Sequence, residues 1–148
     1  MKKLSYTISQ VSEKIGISAY TLRYYDKEGL LPFVKRTSSG KRIFEDSDLE
    51  FIAVIYCLKK TGMSLVKIRE FIKWAEEGDS SLEQRYQMFV ERREAIDQQI
   101  KDLLTYRECI DFKCNYYKNT VAQGSENSSL NLEDFPLNKI IAINNKEV

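Results

Sequence analysis

From Leu82 to Tyr117 apolar residues recur at alternating steps of four and three: Leu82, Tyr86, Phe89, Ile96, Ile100, Leu103, Ile110, Cys114 and Tyr117. Arg93 and Arg107 fill the two gaps, so the register holds for five heptads. That spacing draws one seam along a helix and requires a partner helix to cover it. At 1.5 Å per residue the helix is about 50 Å long. Residues 1–78 are too few to bury such a stripe, and the seam therefore calls for a second copy of the chain. The two arginines admit two readings: pairing with acids of the other copy to fix register, or snorkelling to solvent.

A second stretch, Ile17 to Arg42, carries chemistry rather than packing. Ser18 stands where a helix needs an N-cap, and Ala19–Lys27 suits a short helix with Leu22 and Tyr25 on its apolar side. Tyr20, Thr21, Arg23 and Tyr24 project elsewhere, and a small core has no use for that set. Gly29 ends the helix and Pro32 prevents its resumption. Two β-prone pairs, Phe33-Val34 and Ile43-Phe44, then enclose a loop with Lys35, Arg36, Lys41 and Arg42. A polar, aromatic helix followed by a basic hairpin suits a phosphate-lined groove, the helix facing base edges and the hairpin the backbone.

Around this stretch the pattern is helical. Thr7 and Gln10 form a capping box for a helix over Ile8–Ile15, and Gly16-Ile17 turns the chain into the next, giving a helix-turn-helix. Leu4–Tyr6 reads either as a lead-in strand or as extended chain. Ser47 with Glu50, or Asp46, caps a largely buried helix to about Lys60. Thr61-Gly62-Met63 turns, Ser64 caps a fourth helix through Ala75, and Ser80 with Glu83 starts the long one. Thr120–Ser129 is polar and reads as a flexible segment, whereas Leu130–Val148 either folds back or stays mobile.

Charge follows the same division. Residues 1–44 hold nine Lys/Arg against three Asp/Glu, a balance of +6; residues 79–148 hold nine against twelve, a balance of −3. The basic end coincides with the helix and hairpin, as a nucleic-acid footprint should, although charge alone fits a solvated surface equally well. Three cysteines without CxxC spacing, and no histidine, exclude a disulfide framework and a zinc ribbon. No apolar run approaches the roughly 18 residues of a membrane span. The expectation is a cytoplasmic protein using no metal and no cofactor.

Thr21-Leu22-Arg23-Tyr24-Tyr25-Asp26, Gly29-Leu30-Leu31-Pro32, Gly40-Lys41-Arg42-Ile43-Phe44, Asp48-Leu49 and Gly62-Met63-Ser64-Leu65 together resemble the DNA-binding domain of MerR-family transcription regulators over residues 5–78. The resemblance implies a mainly α fold: a winged helix-turn-helix domain (1–78), a dimerisation helix (79–119) pairing as an antiparallel coiled coil, and a C-terminal tail (120–148). It implies that Ser18, Tyr20, Thr21, Arg23 and Tyr24 reach DNA from the recognition helix, and Arg36, Lys41 and Arg42 from the wing. A second wing would bring Lys59, Lys60 and Lys67 near phosphate. The implied partners are double-stranded promoter DNA, a second copy and RNA polymerase, with activation by promoter distortion.

The signal is less sharply written. Metal-sensing relatives place cysteines where this chain has Asp79, Ser80 and Ser81, and the residues left after the long helix are too few for a drug-binding domain. Cys57, within Cys57-Leu58-Lys59-Lys60-Thr61-Gly62-Met63-Ser64-Leu65 and followed by Trp74, resembles the branch that answers nitric oxide and reactive aldehydes through one thiol (NmlR/AdhR-like). Lys59 and Lys60 favour a thiolate there, whereas the C-terminal end of a helix opposes one. Sensing and simple packing both stand for Cys57. The rival from another class is an effector-independent architectural DNA bender of excisionase type. A thiol enzyme is disfavoured because no histidine base exists.

Overall fold

The computed structural model describes residues 5–126 and 134–146. Leu4 of the lead-in and 127–133 and 147–148 of the tail lie outside the described residues. The chain forms β1 (Ser5–Tyr6), α1 (Ile8–Ile15), α2 (Ala19–Lys27), β2 (Lys35–Arg36), β3 (Arg42–Glu45), α3 (Asp46–Lys60), α4 (Leu65–Glu77), α5 (Leu82–Gln123) and α6 (Leu137–Lys146). Packing divides it into two compact units, Met1–Phe89 and Val90–Val148.

In the first unit the caps lie where their chemistry places them. Thr7 and Gln10 form the reciprocal capping box of α1. Gly16 closes α1 at φ 74°, a left-handed turn that a Cβ would strain, and its N–H returns to the Ser12 carbonyl. Ser18 Oγ accepts from the Thr21 N–H to open α2. β3 lies between β1 and β2, antiparallel to both, with Ser5 opposite Glu45 and Lys35 opposite Ile43.

Two local expectations are corrected. The first wing strand is Lys35–Arg36, not Phe33-Val34. Val34 is buried in a turn closed by its N–H on the Leu31 carbonyl, and the Phe33 ring packs 4.6 Å from Phe51, so the apolar pair serves the core. Lys35, Arg36 and Arg42 are consequently strand residues rather than loop residues. Likewise α3 begins at Asp46 with Glu45 as its N-cap, and neither Ser47 nor Asp46 caps it. The Asp48 carboxylate reaches back 2.8 Å to the Glu45 N–H, where an acid also suits the helix dipole.

The core is one cluster running through Val11, Leu22, Tyr25, Phe44, Ile52, Ile55, Ile68 and Ile72. α3 buries Leu49, Ile52, Ile55 and Leu58, while Ala53 and Cys57 face outward, so it is one-sided rather than engulfed. Beside the core the rings of Phe33, Phe51, Phe71 and Phe89 form a ladder with steps of 4.6, 5.4 and 5.3 Å. It links the foot of the wing through α3 and α4 to the first turns of α5. α4 runs to Glu77, past the expected stop at Ala75. Gly78–Ser81 is a 3-10 turn instead of a Ser80 cap. Buried Ser81 donates toward the Trp74 and Gly78 carbonyls and accepts from Arg85 Nε at 3.1 Å.

In the second unit α5 continues to Gln123, beyond the expected end, and residues 120–123 are helical rather than flexible. Burial concentrates on Thr105, Cys109, Phe112, Tyr116 and Thr120, a stripe at helical spacing. Phe135 meets the Phe112 ring edge-on at 5.3 Å, Lys139 reaches Glu108 at 2.9 Å, and Ile143 of α6 is buried. Residues 134–146 therefore fold back on α5. At about 100° per residue this stripe lies roughly opposite the heptad seam. Ile100, Leu103, Ile110, Cys114 and Tyr117 remain exposed, as does Val121, one step of four further on. No helix among the described residues is long and apolar enough to cross a membrane.

Phe71 is the rung that touches two neighbours and is nearly buried. Phe71→Ala should cost about 3–5 kcal/mol, read as a lower urea midpoint at unchanged slope. A loss under 1 kcal/mol would show that the ladder carries little of the packing.

Candidate nucleic-acid interface

α2 has two faces. Leu22 and Tyr25 are inside, and burial, with Tyr56 and Tyr24 nearby, pushes the Tyr25 phenol above its ordinary range, so it stays neutral. The other face shows Tyr20 at 81% exposure, Tyr24 at 38%, and an exposed Arg23. Ser18 and Thr21 hold each other at its N-terminus, Ser18 Oγ donating to Thr21 Oγ1 at 2.9 Å. A small hydroxyl pair beside two outward tyrosines leaves the helix N-terminus open to an approaching duplex.

The wing tip is preordered. Thr37 N–H donates to the Lys41 carbonyl at 2.7 Å, Lys41 N–H to Thr37 Oγ1 at 3.1 Å, and Gly40 takes φ 87°, which a side chain would strain. Arg36 Nη1 donates to the Gly40 carbonyl at 2.9 Å. Lys41 is exposed, and Arg36 keeps 53% of its side chain in solvent. Arg42 differs. Only 18% of its side chain is exposed, Nη1 donating to the Val34 carbonyl and Nη2 to Asp26 Oδ1, both at 2.5 Å. Its guanidinium thus sits inside the joint between wing and helix. Asp26, which the sequence reading passed over, is the partner. Its place one turn after Arg23, four residues on from Leu22, was the available signal.

Between these elements lies an open groove of about 630 Å³, lined by Thr7, Ser9, Arg23, Arg36, Thr37 and Lys41 among others. Four cations and one carboxylate border it, a field that favours phosphate. Elsewhere in the unit Arg69 ties α4 to the end of α2, its Nε donating to the Glu28 carbonyl at 2.9 Å and Nη2 to the Glu28 carboxylate at 2.8 Å. Lys59, Lys60 and Lys67 are exposed, and the Lys60 ammonium stands 5.3 Å over the Tyr56 ring. Cys57 is exposed, on the face of α3 away from the core. Among the described residues no group of three or more His, Cys, Asp or Glu gathers as a metal site.

A helix-turn-helix with a solvent-facing second helix, a basic hairpin wing and a cationic groove between them defines a winged helix-turn-helix DNA-binding protein. Sequence comparison agrees. The pattern of MerR HTH family regulatory proteins matches residues 6–73, and that of the MerR DNA-binding segment matches residues 49–111. An HTH-type transcriptional regulator of Haemophilus influenzae is 42% identical over 133 residues, 90% of this chain and 98% of its own. The regulator AdhR of Bacillus subtilis is 38% identical over 89 residues, 60% of this chain and 64% of its own. The crystal structure of HiNmlR, a MerR family regulator lacking the sensor domain, bound to promoter DNA, superposes with a TM-score of 0.77 at 43% identity, over 83% of this chain and 93% of that one. The chain belongs to the MerR family, and it is a DNA-binding transcriptional regulator.

The two faces of α2 should separate in mutants. Tyr20→Ala should change folding stability by less than about 0.5 kcal/mol, while Tyr25→Ala should cost about 3–5 kcal/mol. Chemical denaturation of both variants checks this, and equal losses would contradict the assignment of faces.

Proposed function

We propose that two copies pair through the α5 seam in antiparallel fashion and set two reading heads on one pseudo-palindromic promoter site. The observation that carries this is the row Leu82, Tyr86, Ile100, Leu103, Ile110, Cys114, Tyr117 and Val121, exposed in the single chain while α6 covers a different side of the same helix. Burying a large apolar side chain is worth about 1.5–3 kcal/mol, so a row this long favours association strongly. Ile96 is half-covered in the single chain, and Phe89 also meets Phe71; both remain at seam positions. In this reading residues 1–78 bind DNA, 79–119 dimerise, and 120–148 form the tail, most of whose described part packs on α5.

On the duplex, Ser18, Tyr20, Thr21, Arg23 and Tyr24 face the groove, and Arg36, Lys41 and the Arg42-braced wing face phosphate. The family resemblance implies that the dimer bends and untwists a promoter whose spacer is too long, so that RNA polymerase engages both elements. Deforming the duplex costs a few kcal/mol, offset by phosphate contacts. The likeness to HiNmlR, a MerR family regulator bound to promoter DNA, supports promoter binding by this chain. The protein acts in the cytoplasm, where the promoter is.

The signal is a small reactive electrophile taken by Cys57. The resemblance of the Cys57 stretch to the NmlR/AdhR-like branch, an exposed thiol, and neighbouring Lys59 and Lys60 support this reading. Run-off transcription tests regulator and sensor together. Wild type should raise transcription from its promoter when a reactive aldehyde or nitrosothiol is added, and Cys57→Ser should bind the same promoter without responding. An equal response from Cys57→Ser removes the sensor; no activation by either protein favours an architectural bender.

A further inference from the structure

The wing of this protein is not a free hairpin. Asp26, in the last turn of α2, meets two wing arginines with its two oxygens: Oδ1 takes Arg42 Nη2 at 2.5 Å, and Oδ2 lies 3.6 Å from Arg36 Nη2. Arg42 is the more deeply held, and its Nη1 also donates to the Val34 carbonyl at the base of the wing. Its Nε is buried without a hydrogen-bond partner among the described residues, so the guanidinium is clamped at its far end alone. Arg36, more exposed, has a second tie to Gly40 at the wing tip. One carboxylate therefore joins the reading helix to both strands of the wing.

From this geometry we infer that Asp26 is a positioning residue for DNA recognition, fixing the wing at the angle from α2 at which both can engage one duplex. The inference rests on the reading that α2 and the wing hold DNA. Arg42 acts through Asp26 and not as a phosphate ligand, while Arg36 can leave its longer contact for a phosphate entering the groove. Preorganisation of this kind spares the complex the entropy of ordering the wing on binding. It should matter where helix and wing must fit together, on the proper site, and little where phosphates alone are gripped.

The sign of the effect distinguishes this from simple electrostatics. An acid bordering a cationic groove repels phosphate, so removing its charge should by itself tighten binding to any duplex. The test uses the full chain, a duplex selected by the wild-type protein from a random-sequence pool, and an unrelated duplex of equal length. Asp26→Asn should weaken binding to the selected duplex by about tenfold, the scale of a lost charge-assisted hydrogen bond, and leave unrelated DNA unchanged or tighter. Asp26→Glu, which keeps the charge, should recover part of the selectivity, and Asp26→Asn combined with Arg42→Gln should lose little more than either alone. Equal tightening on both duplexes, or equal loss on both, overturns the assignment. A pool that yields no enriched duplex fails the underlying reading instead.

Discussion

An apolar row on α5 that the described residues leave exposed is the constraint to which the proposed assembly answers. Hydrophobic surface on this scale is not left in water by a stable monomer. The chain does have a helix that folds back on α5, but Phe135 and α6 meet it at Phe112 and Glu108, outside the seam positions. The far half of α5 thereby carries two apolar stripes, one partly covered by Phe135 and α6 and one exposed. In the proposed pairing the two halves of the molecule divide the work: an acidic rod for association and a basic head for DNA.

Within the head, the rigidity of the reading surface comes from ties among short elements. α1 and α2 have only eight and nine residues, below the length at which isolated helices persist in water. Their caps, the buried side of each and the charged joint at Asp26 hold them. Arg69 anchors the same C-terminal end of α2 to α4 through Glu28, and the aromatic ladder carries packing from Phe33 to Phe89 at the start of α5. The stacked rings make a contiguous path of packed groups from the foot of the wing to the first turns of α5. Cys57, on the outer face of α3, lies beside this path in sequence rather than within the core.

Much of this was legible before any coordinates, and the reasons are local. Thr7, Ser18 and Ser64 cap helices because a hydroxyl beside orphan N–H groups acts within three residues. Leu22 and Tyr25 announce their side by spacing, and the seam by its unbroken alternation. Where sequence reasoning went astray, a distant group decided. Phe33 and Val34 have the composition of a strand, yet Phe51 and the core take them and leave Lys35–Arg36 to pair. Ser80 does not cap α5 because Gly78–Ser81 closes as a 3-10 turn, with buried Ser81 tied to the Trp74 carbonyl and to Arg85. Val121 and Thr120 sit in a polar run, but one extends the seam and the other the covered stripe. Asp26 was hidden because its partners lie ten and sixteen residues away.

Whether the functional unit is a pair of chains joined along α5 is read from the mass of the particle on DNA. Sedimentation equilibrium of the protein with one selected duplex should give the duplex plus twice the 17.3 kDa chain, with the free protein also at twice that mass at micromolar concentration. A complex holding a single chain, formed with full affinity by a free protein of single-chain mass, would contradict it.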